Sequence, residues 1–245
     1  MLVKKRPLQP LYSRGGIDIY HGDCNSVLPM LTSSNKYSVS SVITSPPYAL
    51  QRSKDYDGVR PEEYPDFTYR YFNKIRPFLN DDGSIFLVIR PNIHKGELSD
   101  YVLRTRLKLR QSWIECEELI WIKPNSPPLG SVKRPRRSWE SILWYGKSGE
   151  VYSNLKAGNI QSERIGFECA KYKQGGGYLS HGQNLPKVGL ARYSDYIVAG
   201  TQKVEDKINH PAMFPVDIPD WLLKLSTKED ETILDPFMGS GTTAI

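Results

Sequence analysis

The amino-acid sequence predicts an α/β protein: an open, mostly parallel sheet with helices on both faces, plus one irregular insertion. Short apolar runs alternate with stretches of helical period along most of the chain. One run, Ser84 to Ile89, is continuously apolar after its first residue, as a strand covered on both faces requires. Two other runs end abruptly in loops of unusual composition, Ser45-Pro46-Pro47-Tyr48 and Asp235-Pro236-Phe237-Met238-Gly239-Ser240-Gly241. The carboxyl ends of strands are where α/β proteins place their sites.

A chain of 245 residues fits one large domain, or one domain with an inserted lobe, and can bury a sizeable core. The formal charge of +6 favours anionic partners, nucleic acid first. Met1 to Pro10 is basic and broken by proline, unlike a signal peptide, and no apolar run approaches the roughly 20 residues that span a bilayer. The three cysteines, Cys24, Cys116 and Cys169, and the four histidines are scattered, so neither a disulfide framework nor a metal site is expected. A reducing, cytoplasmic setting follows.

In chain order, Met1 to Gly16 reads as a basic, partly ordered arm. Ile17 to Tyr20 alternates like a short strand, Asn25 can cap a helix carrying Val27, Leu28 and Leu31, and Ser38 to Tyr48 is a strand running into the proline turn. Strand, helix and strand within about thirty residues have the span of a βαβ unit. Ala49 to Arg60 is a polar loop. Glu63 to Leu79 follows as a helix, with Pro65 tolerated in its first turn. Asp81-Asp82-Gly83 is a turn, and Leu98, Tyr101, Val102, Thr105 and Leu109 share one helical face. Leu119 to Ile122 and Ile142 to Tyr145 are further strands. From Gly146 to Asn209 the periodicity disappears. Between Lys123 and Lys207 there are 14 Lys or Arg against 7 Asp or Glu, a net +7 that exceeds the charge of the whole chain. That concentration suits a lobe that faces nucleic acid, and it also suits a solvated, loop-rich insertion. Ile218, Trp221, Leu222 and Leu225 mark a last helical face with Asp217 as its cap, and Thr232 to Leu234 is a strand.

The proline turn has distinctive chemistry. Pro46 and Pro47 fix φ and offer no N–H, leaving their carbonyls as free acceptors beside the Ser45 hydroxyl and the Tyr48 ring. A surface turn that merely ends a strand has the same composition. In the second loop, Gly239 and Gly241 let backbone approach a ligand closely; without a lysine after the second glycine it is no phosphate-cradling P-loop. A tight strand-helix turn is the plainer reading of that pair. If the two strands are neighbours, the loops meet in one crevice.

Taken together, Thr44-Ser-Pro-Pro-Tyr48, Asp235-Pro-Phe-Met-Gly-Ser-Gly-Thr-Thr243, His210-Pro-Ala-Met-Phe-Pro215 and His21-Gly-Asp-Cys24 resemble the motifs of the amino-methylating DNA methyltransferases that use S-adenosylmethionine. Their order looks like the permuted class in which the catalytic motif precedes the target-recognition region and the cofactor loop comes last. The resemblance spans about Ile17 to Thr243 and implies a Rossmann-like methyltransferase fold. Ser-Pro-Pro-Tyr is most similar to enzymes that make N4-methylcytosine; adenine-N6 enzymes more often carry Asp or Asn where Ser45 stands. Cytosine-C5 chemistry needs a nucleophilic cysteine after a proline, and no cysteine here follows one.

The resemblance implies Ser45, Pro46, Pro47 and Tyr48 as the catalytic turn. It implies Asp235, Phe237, Gly239, Ser240, Gly241 and Thr242 around the cofactor, Asp23 near its adenine, and His210, Pro211 and Phe214 beside its methionine moiety. Asp23 as a turn residue and His210 as a packed connector are the structural alternatives. Gln51, Arg52, Lys133, Arg134, Arg136 and Arg137 are the candidate DNA contacts. The implied organisation is a basic arm at 1–16, a catalytic half at 17–145, a target-recognition region at 146–209 to which the basic loop from 123 contributes, and the start of a cofactor-binding half at 210–245. In this class the glycine loop is followed by a helix and a strand ending in an acidic residue for the ribose, whereas only Ala244 and Ile245 follow Thr243. The sheet is therefore expected to lack the strand between the cofactor-loop strand and Ile17 to Tyr20, and the cofactor half to be truncated.

The expected function is site-specific transfer of methyl from S-adenosylmethionine to the N4 amino group of a cytosine flipped from double-stranded DNA, beside a restriction endonuclease. DNA adenine-N6 methylation is the enzymatic alternative. A silent DNA-binding relic, or one half of a split enzyme, is the alternative from another class.

Overall fold

The computed structural model describes residues 8–32, 37–49, 58–126, 134–158, 171–172, 178–179, 191–200 and 215–244. The first element among the described residues is a hairpin, β1 (Tyr12–Arg14) against β2 (Ile17–Ile19), so the expected arm is ordered at its end. Then come helix α1 (Cys24–Thr32), strand β3 (Val39–Thr44), helix α2 (Tyr64–Ile75) and strand β4 (Leu79–Ile89). A small hairpin, β5 (Ile93–His94) and β6 (Glu97–Leu98), leads to helix α3 (Tyr101–Leu109). Strands β7 (Ile114–Ile122) and β8 (Trp139–Gly146) follow, then the pair β9 (Lys171–Tyr172) and β10 (Tyr178–Leu179), strand β11 (Tyr196–Val198), helix α4 (Asp217–Ser226) and strand β12 (Thr232–Leu234).

Six strands form one sheet in the order β11-β7-β8-β4-β3-β12. β8 is antiparallel to both neighbours, and the other five strands point the same way. The continuous apolar runs are explained by two cores. Val42, Ile85, Leu87, Leu143 and Tyr145 face the layer of α1, α2 and α3. Ile43, Phe86, Val88, Ile142 and Trp144, one residue out of phase, face α4. Residues of the central strands therefore have a covered face on either side, and all six residues of β3 are buried, whereas the edge strands β11 and β12 are partly exposed.

Several sequence expectations are corrected. Ile17 to Ile19 pairs with β1 rather than with the main sheet, so the first strand, helix and strand are not a βαβ unit of that sheet. Asp23, not Asn25, caps α1: its Oδ1 accepts the Asn25 N–H at 2.7 Å, and its carbonyl accepts those of Ser26 and Val27. Pro29 lies inside α1 and has no N–H to offer the Asn25 carbonyl; Lys74 Nζ from α2 donates to that oxygen at 2.7 Å. α2 stops at Ile75, because Pro77 cannot continue the ladder, and Leu79 already belongs to β4. Asp81 to Gly83 is a bulge within β4 rather than a turn before it: Val39 pairs with Leu79 and Ser41 with Ser84, so the excess residues loop out. Leu98 lies in β6 and is exposed, so it is not on the buried face of α3. Val216 stands at the α4 cap, and Asp217 with Asp220 instead places acid in the first turn, where the helix dipole favours it.

The aperiodic stretch after Gly146 is not wholly apart from the sheet. Tyr152 N–H donates to Asp82 O and Asn154 N–H to Leu225 O, and β11 adds an edge strand parallel to β7. Among the described residues no helix is long and apolar enough to cross a membrane.

Candidate active site

β12 lies beside β3 and runs in the same direction, with Leu234 opposite Val42. The turn after Thr44 and the loop after Leu234 thus leave one edge of the sheet from strands about 5 Å apart. β4 flanks β3 on one side and β12 on the other, which makes this edge a topological switch point. β8 is reversed, so its amino end arrives at the same edge, with Ser141 opposite Ile89 and Trp139 opposite Ile122.

In the proline turn Pro46 is buried, while Ser45, Pro47 and Tyr48 are partly exposed. The Tyr48 phenol donates to Glu140 Oε2 at 2.6 Å. Burial, then the Glu140 charge and hydrogen bond, push its pKa well above the ordinary tyrosine range, with the Ser45 side chain opposing, so the phenol keeps its proton. Glu140 is itself buried and takes Lys123 Nζ on its other oxygen. That ammonium sits 4.0 Å above the Trp121 ring, and burial draws its pKa down against the pull of Glu140. One residue past the turn, the Ala49 carbonyl accepts the buried Asn92 amide at 2.9 Å.

The second loop is held by its own bonds. Asp235 Oδ1 accepts the Phe237 N–H at 3.0 Å and Oδ2 the Thr243 hydroxyl at 2.7 Å. Burial raises the Asp235 pKa to about 6, against the pull of those two donors. Ser240 and Thr242 hydroxyls meet at 3.1 Å, and Gly241 N–H closes on Met238 O. Gly239 and Gly241 have φ of 55° and 85°, left-handed values that favour glycine, and the space beside Gly241 is open. The Phe237 ring rests against α2, 5.2 Å from Tyr71 and 5.9 Å from Phe67. A cleft of about 370 Å³ lined by Val59, Glu62, Glu63, Asp66, Phe67 and Arg70 opens on the same helix.

The fold brings together Ser45 to Tyr48 and Asp235 to Thr242. Asp23 caps α1 and is exposed. Of the expected DNA contacts, Arg134 donates to the Gly96 carbonyl and Arg137 to that of Pro91, while Arg136 is exposed. Gln51, Arg52, Lys133, His210, Pro211 and Phe214 lie outside the described residues. Sequence reasoning missed Glu140, Lys123 and Asn92. The available signal was a glutamate two residues before an apolar run and a lysine directly after one.

A sheet edge with a Ser-Pro-Pro-Tyr turn beside a glycine loop defines the class of the protein. The family model described as DNA methylase matches residues 39–245, and the chain belongs to that family of N6/N4 methyltransferases. It is 25% identical over 268 residues to the type II methyltransferase M.PvuII of Proteus hauseri, covering 97% of this chain and 78% of that protein. It is 27% identical over 221 residues to the type II methyltransferase M1.MboII of Moraxella bovis, covering 85% and 79%. Among solved structures, the fold is similar to PvuII DNA methyltransferase (cytosine-N4-specific), with a TM-score of 0.72, 21% identity, and 96% and 79% of the two chains covered. It is also similar to M1.HpyAVI in its complex with S-adenosylmethionine, with a TM-score of 0.54, 17% identity, and 91% and 84% covered. The protein is thus a DNA amino-methyltransferase with a Rossmann-like methyltransferase fold, and S-adenosylmethionine is its methyl donor. The left-handed glycines and the open space beside Gly241 fit a loop built to receive a cofactor.

Proposed function

We propose that this protein transfers methyl from S-adenosylmethionine to the N4 amino group of a cytosine flipped out of a specific DNA site, as the modification half of a restriction–modification pair. The observation that carries this reading is the Ser45-Pro46-Pro47-Tyr48 turn on the strand adjacent to the Asp235–Thr242 loop. Ser45 stands where adenine-N6 enzymes more often have an acidic or amide residue. The likeness to M.PvuII and to a cytosine-N4-specific structure supports the same choice.

An exocyclic amine is a weak nucleophile because its lone pair is conjugated with the ring. Ser45 Oγ and the Pro46 carbonyl accept its two N–H bonds and turn the nitrogen toward tetrahedral geometry, aiming the lone pair. The Tyr48 ring stacks on the flipped base. Asp235, Phe237, Gly239, Ser240, Gly241 and Thr242 would hold the cofactor, with Asp23 at its adenine and His210, Pro211 and Phe214 at its methionine moiety. When bound, the cofactor supplies a methyl group already activated on a sulfonium. The chain's own contribution is alignment and stabilisation of developing charge, with no covalent enzyme intermediate. Arg134, Arg136 and Arg137, with Gln51, Arg52 and Lys133, would meet the DNA backbone, and residues 146–209 would read the sequence.

Methylating unmethylated bacterial DNA, digesting it to nucleosides and separating them tests the reading. N4-methylcytosine is expected. N6-methyladenine alone would refute cytosine as the target and would keep the rest of the mechanism.

A further inference from the structure

Glu140 has no part in the chemistry above, yet it is a carboxylate held inside the protein. Taking a carboxylate out of water costs several kcal/mol, and an ion pair repays that only in good geometry. Replacing a buried ion pair with apolar groups is often neutral or stabilising, so Lys123–Glu140 is poorly explained as a device for stability. Only one carboxylate oxygen is engaged by Lys123; the other takes the Tyr48 phenol at 2.6 Å. The partners come from three places. Tyr48 follows β3, Lys123 follows β7, and Glu140 is the second residue of β8. Only the reversal of β8 brings them to one edge.

A tyrosine ring is free to swing about two torsions. A charge-assisted bond at its far oxygen fixes the first; the oxygen lies on the axis of the second, and there the bond acts through the phenolic O–H, which conjugation keeps in the ring plane and Glu140 Oε2 holds to one direction. The backbone beyond the ring is fixed as well, by Asn92 on the Ala49 carbonyl. Ring and backbone are thus tied to the β4–β8 side of the sheet.

We propose that Glu140, oriented by Lys123, is a positioning residue for methyl transfer: it holds the Tyr48 ring, through the phenol oxygen, in the plane that receives the flipped base. The proposal rests on the reading of Tyr48 as the stacking ring. Glutamine is a poorer partner at 140, because with its carbonyl on the ammonium it can only donate an amide N–H to the phenol oxygen, a neutral bond in place of the charge-assisted one. With Lys123→Met alongside, that carbonyl is free for Tyr48.

The test measures methyl incorporation from tritiated S-adenosylmethionine into unmethylated DNA, with cofactor affinity by calorimetry and melting temperature in parallel. Tyr48→Phe keeps the ring and removes the bond; Glu140→Gln keeps the shape and weakens it. Each is expected to lower kcat about tenfold, the worth of one hydrogen bond, with KM for DNA and cofactor Kd within about twofold. The double variant Tyr48→Phe/Glu140→Gln should fall no further than either single variant. Lys123→Met/Glu140→Gln should regain most of the lost kcat, and it carries the test if Glu140→Gln alone does not fold. Wild-type kcat in Tyr48→Phe, or losses that multiply in Tyr48→Phe/Glu140→Gln, would overturn the proposal. Tyr48→Ala with undiminished transfer, or a wild-type chain that transfers no methyl, would overturn the reading of Tyr48 itself.

Discussion

At the scale of single residues the proposed function gives the two loops different work, and substitutions should separate them. On the roles proposed above, Ser45→Ala removes an acceptor for the amine, and Tyr48→Ala removes the stacking surface. Each should lower methyl transfer on the order of 100-fold while cofactor affinity stays within about twofold, as calorimetry and tritium incorporation would show. Equal loss of both would mean that the turn also builds the cofactor site. Asp235 is legible in another way. Its folded pKa, about 6, lies above the ordinary carboxylate value of 3.8. Between these values the folded protein holds the proton that the unfolded chain has released, so this group's contribution to stability falls as pH rises from about 4 to about 6. Relative to Asp235→Asn, the wild type should lose on the order of 2 kcal/mol across that window, measured by urea unfolding at several pH values. The asparagine keeps an oxygen for the Phe237 N–H, and the Thr243 hydroxyl can rotate to accept from its amide.

At the scale of elements, two polar contacts decide how the layers sit. Ser226 Oγ in α4 donates to the Leu222 carbonyl at 2.8 Å, so the buried bond to Ser41 of β3, at 3.0 Å, has Ser41 as donor. Ser226→Ala strands that donor and should cost about 1–3 kcal/mol. Ser41→Ala leaves Ser226 bonded and should cost less than about 1 kcal/mol. Paired denaturant curves test this asymmetry. On the other face, Lys74 serves the carbonyl that Pro29 cannot reach. Lys74→Met should lower stability by about 1 kcal/mol in the wild type and by clearly less beside Pro29→Ala, whose amide restores the helical bond. The Pro29 signal was visible in the sequence. Its compensation was not, because Lys74 is contributed by a different helix.

At the scale of the whole molecule, charge and topology govern. The net +7 carried between Lys123 and Lys207 should make binding to DNA of arbitrary sequence steeply salt-dependent. If about six phosphates are neutralised, affinity should fall on the order of 1000-fold between 50 and 200 mM salt, measured by fluorescence anisotropy. A shallow slope would mean that these cations are engaged within the protein, as Arg134 and Arg137 partly are.

The sequence by itself determined the fold class, the two loops and the family, because each is local. Proline fixes its own φ, glycine permits its own, and apolar runs announce strands that must be covered on both faces. It determined less at element ends, where a bulge such as Asp81 to Gly83 depends on what the partner strand does. The two-residue hairpin turn at Gly15 and Gly16 was likewise hidden by the basic residues before it. Only the tertiary structure decided that β12 lies beside β3, which turns two separate motifs into one edge. Only it decided that β8 runs backwards and sets Glu140 against Tyr48, 92 residues away in sequence. Hydrogen bonds between distant strands depend on strand order and register, and those are fixed when the sheet assembles, by packing that no single stretch of sequence contains.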